Sequence, residues 1–178
     1  VKVISSNINI DRFYDLKNEK KIIEQLINLS EPDKDISTIF IWPEGIFTSS
    51  FIKDIKKYKK IFEKNFGKND LIIFGINDVQ YKTKENIYNS LAVFDNNLNL
   101  KSLYYKNRLV PFGEFLPFEN HLKKIGLKKI TNNYHSFSRG TSRDIIELKN
   151  LKILPLICYE IIYTGQISRT NDYDLIIN

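Results

Sequence analysis

Apolar residues in this chain recur with two periods, and the switches between them mark out its elements. Ile22, Ile23, Leu26, Ile27 and Leu29 lie on one stripe of a 3.6-residue repeat, which predicts a helix over Asn18 to Leu29. Ser30-Glu31-Pro32-Asp33 then breaks the pattern. Phe51, Ile55, Tyr58, Phe62 and Phe66 repeat the helical spacing, with Gly67 as the expected C-cap. Continuous β-branched and aromatic runs predict strands at Val1 to Ile8, Ser37 to Trp42 and Leu71 to Ile76. Tyr88 to Phe94 and Leu98 to Tyr105 flank Asp95-Asn96-Asn97 and read as a hairpin. Asp144 to Leu148 and Leu151 to Ile157, across Lys149-Asn150, read as a second.

Between the hairpins the strand pattern lapses. Val110 to Phe118 carries Pro111, Gly113 and Pro117 and reads as a loop. Residues 119 to 140 are polar and basic, with one short helix expected at Asn120 to Ile125. A helix opening at Ile161 to Arg169 and a last strand at Tyr173 to Ile177 complete the order. Strand, helix, strand, helix, strand, then strand pairs describe a layered α/β fold with a mixed sheet. No repeat or linker divides the chain, so one domain over residues 1–178 is expected.

Composition narrows this only a little. With 178 residues, 42% hydrophobic and 27% charged, the chain can bury a sizeable core. No run of 18 apolar residues is present. The lack of any Met and the abrupt end at Asp174-Leu175-Ile176-Ile177-Asn178 suggest a piece of a longer protein. A single cysteine rules out an intramolecular disulfide or a cysteine metal cluster. The net charge of +6 is carried mainly by scattered lysines, read either as solvated helix faces or as attraction to an anionic surface. Lys123, Lys124, Lys128 and Lys129, interleaved with Ile125, Leu127 and Ile130, could rest on lipid headgroups; a solvated loop explains them equally.

Three residues that could carry chemistry each sit just past a predicted strand: Glu44, Lys106 and Cys158. In a sheet-based fold such strand ends can meet in one crevice. A thiol near its ordinary pKa of about 8.5 is mostly protonated at neutral pH, and a carboxylate beside it can take that proton as it attacks. An ammonium would stabilise the oxyanion of a tetrahedral intermediate. Each also has a plain alternative: a small core thiol, a carboxylate near a helix start, a solvated lysine. A dyad of Cys158 with His121 or His135 is weaker, because neither histidine follows a strand. No phosphate-binding glycine loop, metal-ligand spacing or Gly-x-Ser-x-Gly elbow occurs.

The strings around these residues decide between the two sets. Trp42-Pro43-Glu44, Tyr105-Lys106, Leu109-Val110-Pro111-Phe112-Gly113-Glu114-Phe115-Leu116-Pro117 and Ile157-Cys158-Tyr159-Glu160 occur in that order. Tyr88-Asn89-Ser90 and Phe137-Ser138-Arg139-Gly140 accompany them. Together they resemble the nitrilase superfamily and, more narrowly, the periplasmic domain of bacterial apolipoprotein N-acyltransferases.

That resemblance implies an α-β-β-α sandwich, incomplete on its C-terminal side, with membrane helices flanking the domain in the family but absent from this stretch. It makes Glu44 the general base, Lys106 the oxyanion-stabilising lysine and Cys158 the nucleophile. Glu114 becomes a second carboxylate that helps place the lysine, and Tyr159 and Glu160 flank the nucleophile as supporting residues. It implies a cofactor-free acyl transfer from a membrane phospholipid to a diacylglyceryl-lipoprotein acceptor. The enzyme would sit in the bacterial inner membrane with this domain in the periplasm, touching the membrane through the missing helices and, on the headgroup reading of the basic cluster, through residues 116–130. No nucleic-acid partner is expected. The competing readings are a soluble carbon-nitrogen hydrolase with the same three residues, and a non-catalytic basic binding domain.

Overall fold

The computed structural model describes residues 1–6, 19–47, 49–81, 85–115, 117, 136–163 and 172–178. These residues form two compact units. The first comprises Val1–Asp78 and Ser90–Leu103, the second Val79–Asn89 and Tyr104–Asn178.

The first unit is built on a mixed sheet. Its strands are β1 (Lys2–Val3), β2 (Ile39–Ile41), β3 (Leu71–Gly75), β6 (Ser90–Asp95) and β7 (Leu100–Tyr105), adjacent in that order. β1, β2 and β3 run parallel, and β3 pairs antiparallel with β6, Ile73 opposite Val93. The expected helix is α1 (Glu19–Ser30), which buries Ile22, Ile23, Leu26 and Ile27 as its spacing requires. The second helical stretch begins as a 3-10 helix, Ile52–Tyr58, and continues as α2, Lys59–Asn65.

These helices cover an aromatic core. Trp42 lies within 5.8 Å of the Phe74 ring and 5.5 Å of Phe62, and Phe74 stacks on Phe94 at 4.9 Å. Such pairs prefer offset or tilted contact because of the ring quadrupole. The Trp42 indole N–H donates to the Ser30 hydroxyl at 3.0 Å, and Ser30 in turn donates to the Leu26 carbonyl. Both buried polar groups are thereby satisfied.

Two expectations are corrected here. Gly67 is not a left-handed C-cap: the only glycine with positive φ among the described residues is Gly45. A Cβ on Gly67 would sit tightly against the Lys34 carbonyl oxygen, at 3.0 Å, while the Gly67 N–H donates to Asp70 at 2.8 Å. Nor is Tyr88 to Phe94 one strand. Asn89 interrupts it, leaving β5 (Glu85–Tyr88) separate from β6.

The second unit holds a pair that the periodicity did not reveal, β4 (Asp78–Tyr81) beside β5. Its larger sheet has the order β10 (Leu175–Ile177), β9 (Leu151–Pro155), β8 (Ile146–Leu148). The expected hairpin is β8 and β9, antiparallel, with Lys149 at φ 54° in its turn. β10 pairs with β9 in parallel. The Leu156 N–H extends that pairing to the Ile177 carbonyl, and Leu154 and Leu156 pack with Ile145 and Tyr173. No helix among the described residues is long and apolar enough to cross a membrane. The helix expected at Asn120 to Ile125, the basic cluster that overlaps and follows it and both histidines lie outside the described residues, as do residues 164–169 of the helix expected at Ile161 to Arg169.

Candidate active site

Glu44 belongs to the first unit. β2 ends at Ile41, Trp42 still donates its N–H to Ile73, and the chain then turns through Glu44 and Gly45. Gly45 sits at φ 71°, a conformation that a side chain disfavours, so the Pro-Glu-Gly string is a tight turn and no helix starts at Glu44. Glu44 is exposed, and its Cγ lies beside Gly75 at the end of β3.

The other candidates belong to the second unit. Lys106 follows β7 directly and is only 1% exposed. An ammonium buried this deeply requires a counter-charge, and Glu114 supplies it: Lys106 Nζ lies 2.9 Å from Glu114 Oε1. The same Oε1 accepts from the Asn89 side-chain amide at 3.1 Å, and Oε2 accepts the Val110 N–H at 2.9 Å. The backbone is held as firmly. The Lys106 N–H donates to the Asn89 carbonyl and the Lys106 carbonyl accepts from Gly140 N–H, both at 2.9 Å. Asn89 leaves the strand pattern because its carbonyl and its amide are both engaged with this lysine and its carboxylate partner.

Cys158 opens a 3-10 helix, Cys158–Ile162, three residues after β9 ends. Ile157 is extended (φ −131°), and Cys158 itself is left-handed, at φ 55°. For a residue with a Cβ this conformation costs about 1–2 kcal/mol and persists only where the surroundings impose it. A strand, a strained residue and a helical turn form the same kind of elbow that presents nucleophiles in other folds.

Glu160 imposes it. This carboxylate is fully buried and accepts five donors. Ile157 N–H reaches Oε2 at 2.9 Å, Asn107 N–H and Arg108 N–H reach Oε1 at 2.8 Å each, and the Tyr104 hydroxyl lies 2.9 and 3.0 Å from the two oxygens. The fifth donor, Arg143, is 3.4 Å from Oε1. Burial, with the Glu160 charge acting alongside it, pushes the Tyr104 hydroxyl up to about 12, so it remains a neutral donor. Glu160 thus joins the residue before Cys158 to the two residues after Lys106. Tyr159, by contrast, is 57% exposed.

The structure therefore unites Lys106 with Glu114, and ties the Lys106 loop to the Cys158 elbow through Glu160. The sequence reading assigned no role to Tyr104, Asn107 or Arg143, and it quoted Asn89 and Gly140 only as parts of strings. Among the described residues no cluster of three or more His, Cys, Asp or Glu could hold a metal ion.

Residues 59–178 match the carbon-nitrogen hydrolase family, and the chain belongs to that family. Within it, the chain is similar to an apolipoprotein N-acyltransferase of Rhodopseudomonas palustris, 28% identical over 97% of this chain and 34% of that protein. It is also similar to an apolipoprotein N-acyltransferase of Bradyrhizobium diazoefficiens, 33% identical over 76% of this chain and 26% of that protein. It spans about a third or less of the length of these relatives. The fold is that of the nitrilase superfamily: an amidase from Nesterenkonia superposes with a TM-score of 0.58 at 10% identity, over 98% of this chain and 62% of that one.

Proposed function

We propose that this chain is the acyl-transferring part of an apolipoprotein N-acyltransferase, with Cys158 as acyl carrier. The observation that carries this is the buried Lys106–Glu114 pair on a loop tied through Glu160 to the strained Cys158 elbow. A fixed ammonium on a loop tied to the turn that carries the thiol suits stabilisation of an oxyanion, and the similarity to apolipoprotein N-acyltransferases supplies the substrate class.

In the first step Glu44 takes the Cys158 proton as Sγ attacks the ester carbonyl of a phospholipid. Negative charge moves to the carbonyl oxygen, facing the Lys106 ammonium. The carbon–oxygen bond breaks, the leaving lysophospholipid takes the proton from Glu44, and a thioester remains. In the second step the α-amine of a lipoprotein's N-terminal diacylglyceryl-cysteine attacks the thioester. A carbon–nitrogen bond forms, the carbon–sulfur bond breaks, and the proton lost by the amine returns to Sγ through Glu44. No cofactor takes part. In this reading the whole protein sits in the bacterial inner membrane with this domain on the periplasmic side.

The test is intact-mass analysis of the full-length protein after incubation with phospholipid vesicles. An acyl adduct on the wild type that is lost in Cys158→Ala is expected; an undiminished adduct in that variant would falsify the assignment. The match to the carbon-nitrogen hydrolase family favours one further reading, hydrolysis of a small amide by the same residues. Release of free acid from a simple amide, with no acyl transfer to a diacylglyceryl-peptide amine, would select it.

A further inference from the structure

We propose that Gly140 is a positioning residue for Lys106, and that the backbone of residues 137–140 acts as a clasp fixing where the ammonium sits. The proposal rests on the role given to Lys106 above. The clasp closes through three backbone–backbone bonds and one side-chain bond within one unit. Phe137 N–H donates to the Glu114 carbonyl, Ser138 N–H to Ile87, and Gly140 N–H to Lys106. The Gly140 carbonyl accepts from the Asn107 side-chain amide at 2.9 Å.

The last turn of this clasp has no room for a side chain. A Cβ on Gly140 would be 3.0 Å from the carbonyl carbon of Tyr105 and closer still to its oxygen, nearer than real Cβ atoms approach backbone. Backbone cannot swing aside as a side-chain tip can. Gly140 is not among the described residues with positive φ, so its absent side chain serves close approach rather than a special conformation. Any other residue must either lift the clasp from Lys106 or push the Tyr105–Lys106 peptide away. The Lys106 backbone would then lose its second anchor, and Glu114, held through its own carbonyl by Phe137, would shift with it. The Lys106 ammonium would remain present but misplaced by a fraction of an ångström, which is enough to weaken oxyanion stabilisation.

The experiment uses the full-length protein and p-nitrophenyl butyrate, a reactive ester whose nitrophenolate burst reports acylation of Cys158 even in slow variants. Gly140→Ala is expected to slow the burst by about 10–100-fold, the usual loss when an orienting partner is removed. In a Lys106→Arg background the same substitution should slow it by less than about threefold, because the group it positions is already gone. Equal slowing in both backgrounds, or none in either, overturns the proposal. If Gly140→Ala does not fold, Asn107→Ala replaces it, removing the amide that holds the Gly140 carbonyl, and is judged by the same comparison. A wild type without any burst would remove the underlying reading as well, whereas a normal wild-type burst with unaffected variants removes only the clasp.

Discussion

The backbone N–H of Asn107 donates to Oε1 of Glu160 at 2.8 Å across 53 residues of chain. That bond and the Ile157 N–H on Oε2 make one buried carboxylate the shared anchor of the lysine loop and the thiol elbow. Its job is positioning, and its replacement has a defined cost. Glu160→Gln keeps the shape but turns one acceptor into a donor, and of the five groups facing it only the Tyr104 hydroxyl can accept. A buried donor left opposite another donor, with Arg143 deprived of its counter-charge, should cost about 3 kcal/mol or more. For a domain of this size that lowers Tm by roughly 6–12 °C. Thermal unfolding checks it; a shift within one or two degrees (roughly the span of an ordinary surface substitution) rejects the hub.

None of this network was legible in the chain, although the elements that carry it were. α1, β2 and the β8–β9 hairpin follow from local periodicity, because each buries one face against its neighbours. Glu44, Lys106 and Cys158 stand out because each follows a strand that ends where the pattern breaks. Glu160 was visible only as a neighbour of the cysteine. Its partners Tyr104 and Asn107 lie 56 and 53 residues away, and no spacing rule links such positions. The break at Asn89 was hidden for the same reason: its apolar neighbours keep the strand rhythm, and only the bonds to Lys106 and Glu114 end it. Gly140 sat in a stretch where glycine needs no explanation until Tyr105 is placed against it.

The Lys106–Glu114 pair predicts a split between turnover and donor binding. Glu114→Gln retains an acceptor oxygen for Lys106 but removes the charge that balances it. The ammonium is then less firmly held, and turnover at saturating donor should fall by roughly 10–100-fold. The donor concentration for half-maximal rate should hardly change, since Glu114 acts through the lysine and not on the donor. Steady-state kinetics on vesicles check this. A rise in that concentration with turnover intact would place Glu114 in donor binding.

Glu19 gives a pH dependence with a definite sign. Burial pushes its carboxyl up, but hydrogen bonds from Ser50, Tyr58 and Ser49 outweigh burial and hold it below its ordinary value of 4.5. The unfolded chain therefore binds this proton more readily than the folded one. The stabilisation is complete above the ordinary carboxylate value and is lost as pH falls through the lower folded value. Ser49 and Ser50 follow the Glu44 turn, so this network also anchors the segment leading away from it. Glu19→Gln should cost about 2–4 kcal/mol at neutral pH, as for a broken buried network. It should also flatten the fall in stability below about pH 5. Urea unfolding at a series of pH values tests both. Parallel curves for the two proteins would show that the Glu19 carboxylate does not carry this dependence.

The left-handed backbone at Cys158 separates strain from chemistry. In most positions glycine is less stable than alanine, by roughly 0.5–1 kcal/mol, because the unfolded chain gains freedom. At φ 55° the order reverses, since alanine keeps the Cβ that makes the conformation costly and glycine does not. Cys158→Gly should therefore unfold at higher denaturant than Cys158→Ala, by about 1 kcal/mol, although both lack the thiol. The comparison is independent of activity, because both variants are expected to form no acyl adduct. A Cys158→Ala protein as stable as Cys158→Gly, or more so, would mean that the elbow relaxes once the thiol is removed. The strain would then belong to the cysteine side chain and not to the bonds that Glu160 makes around it.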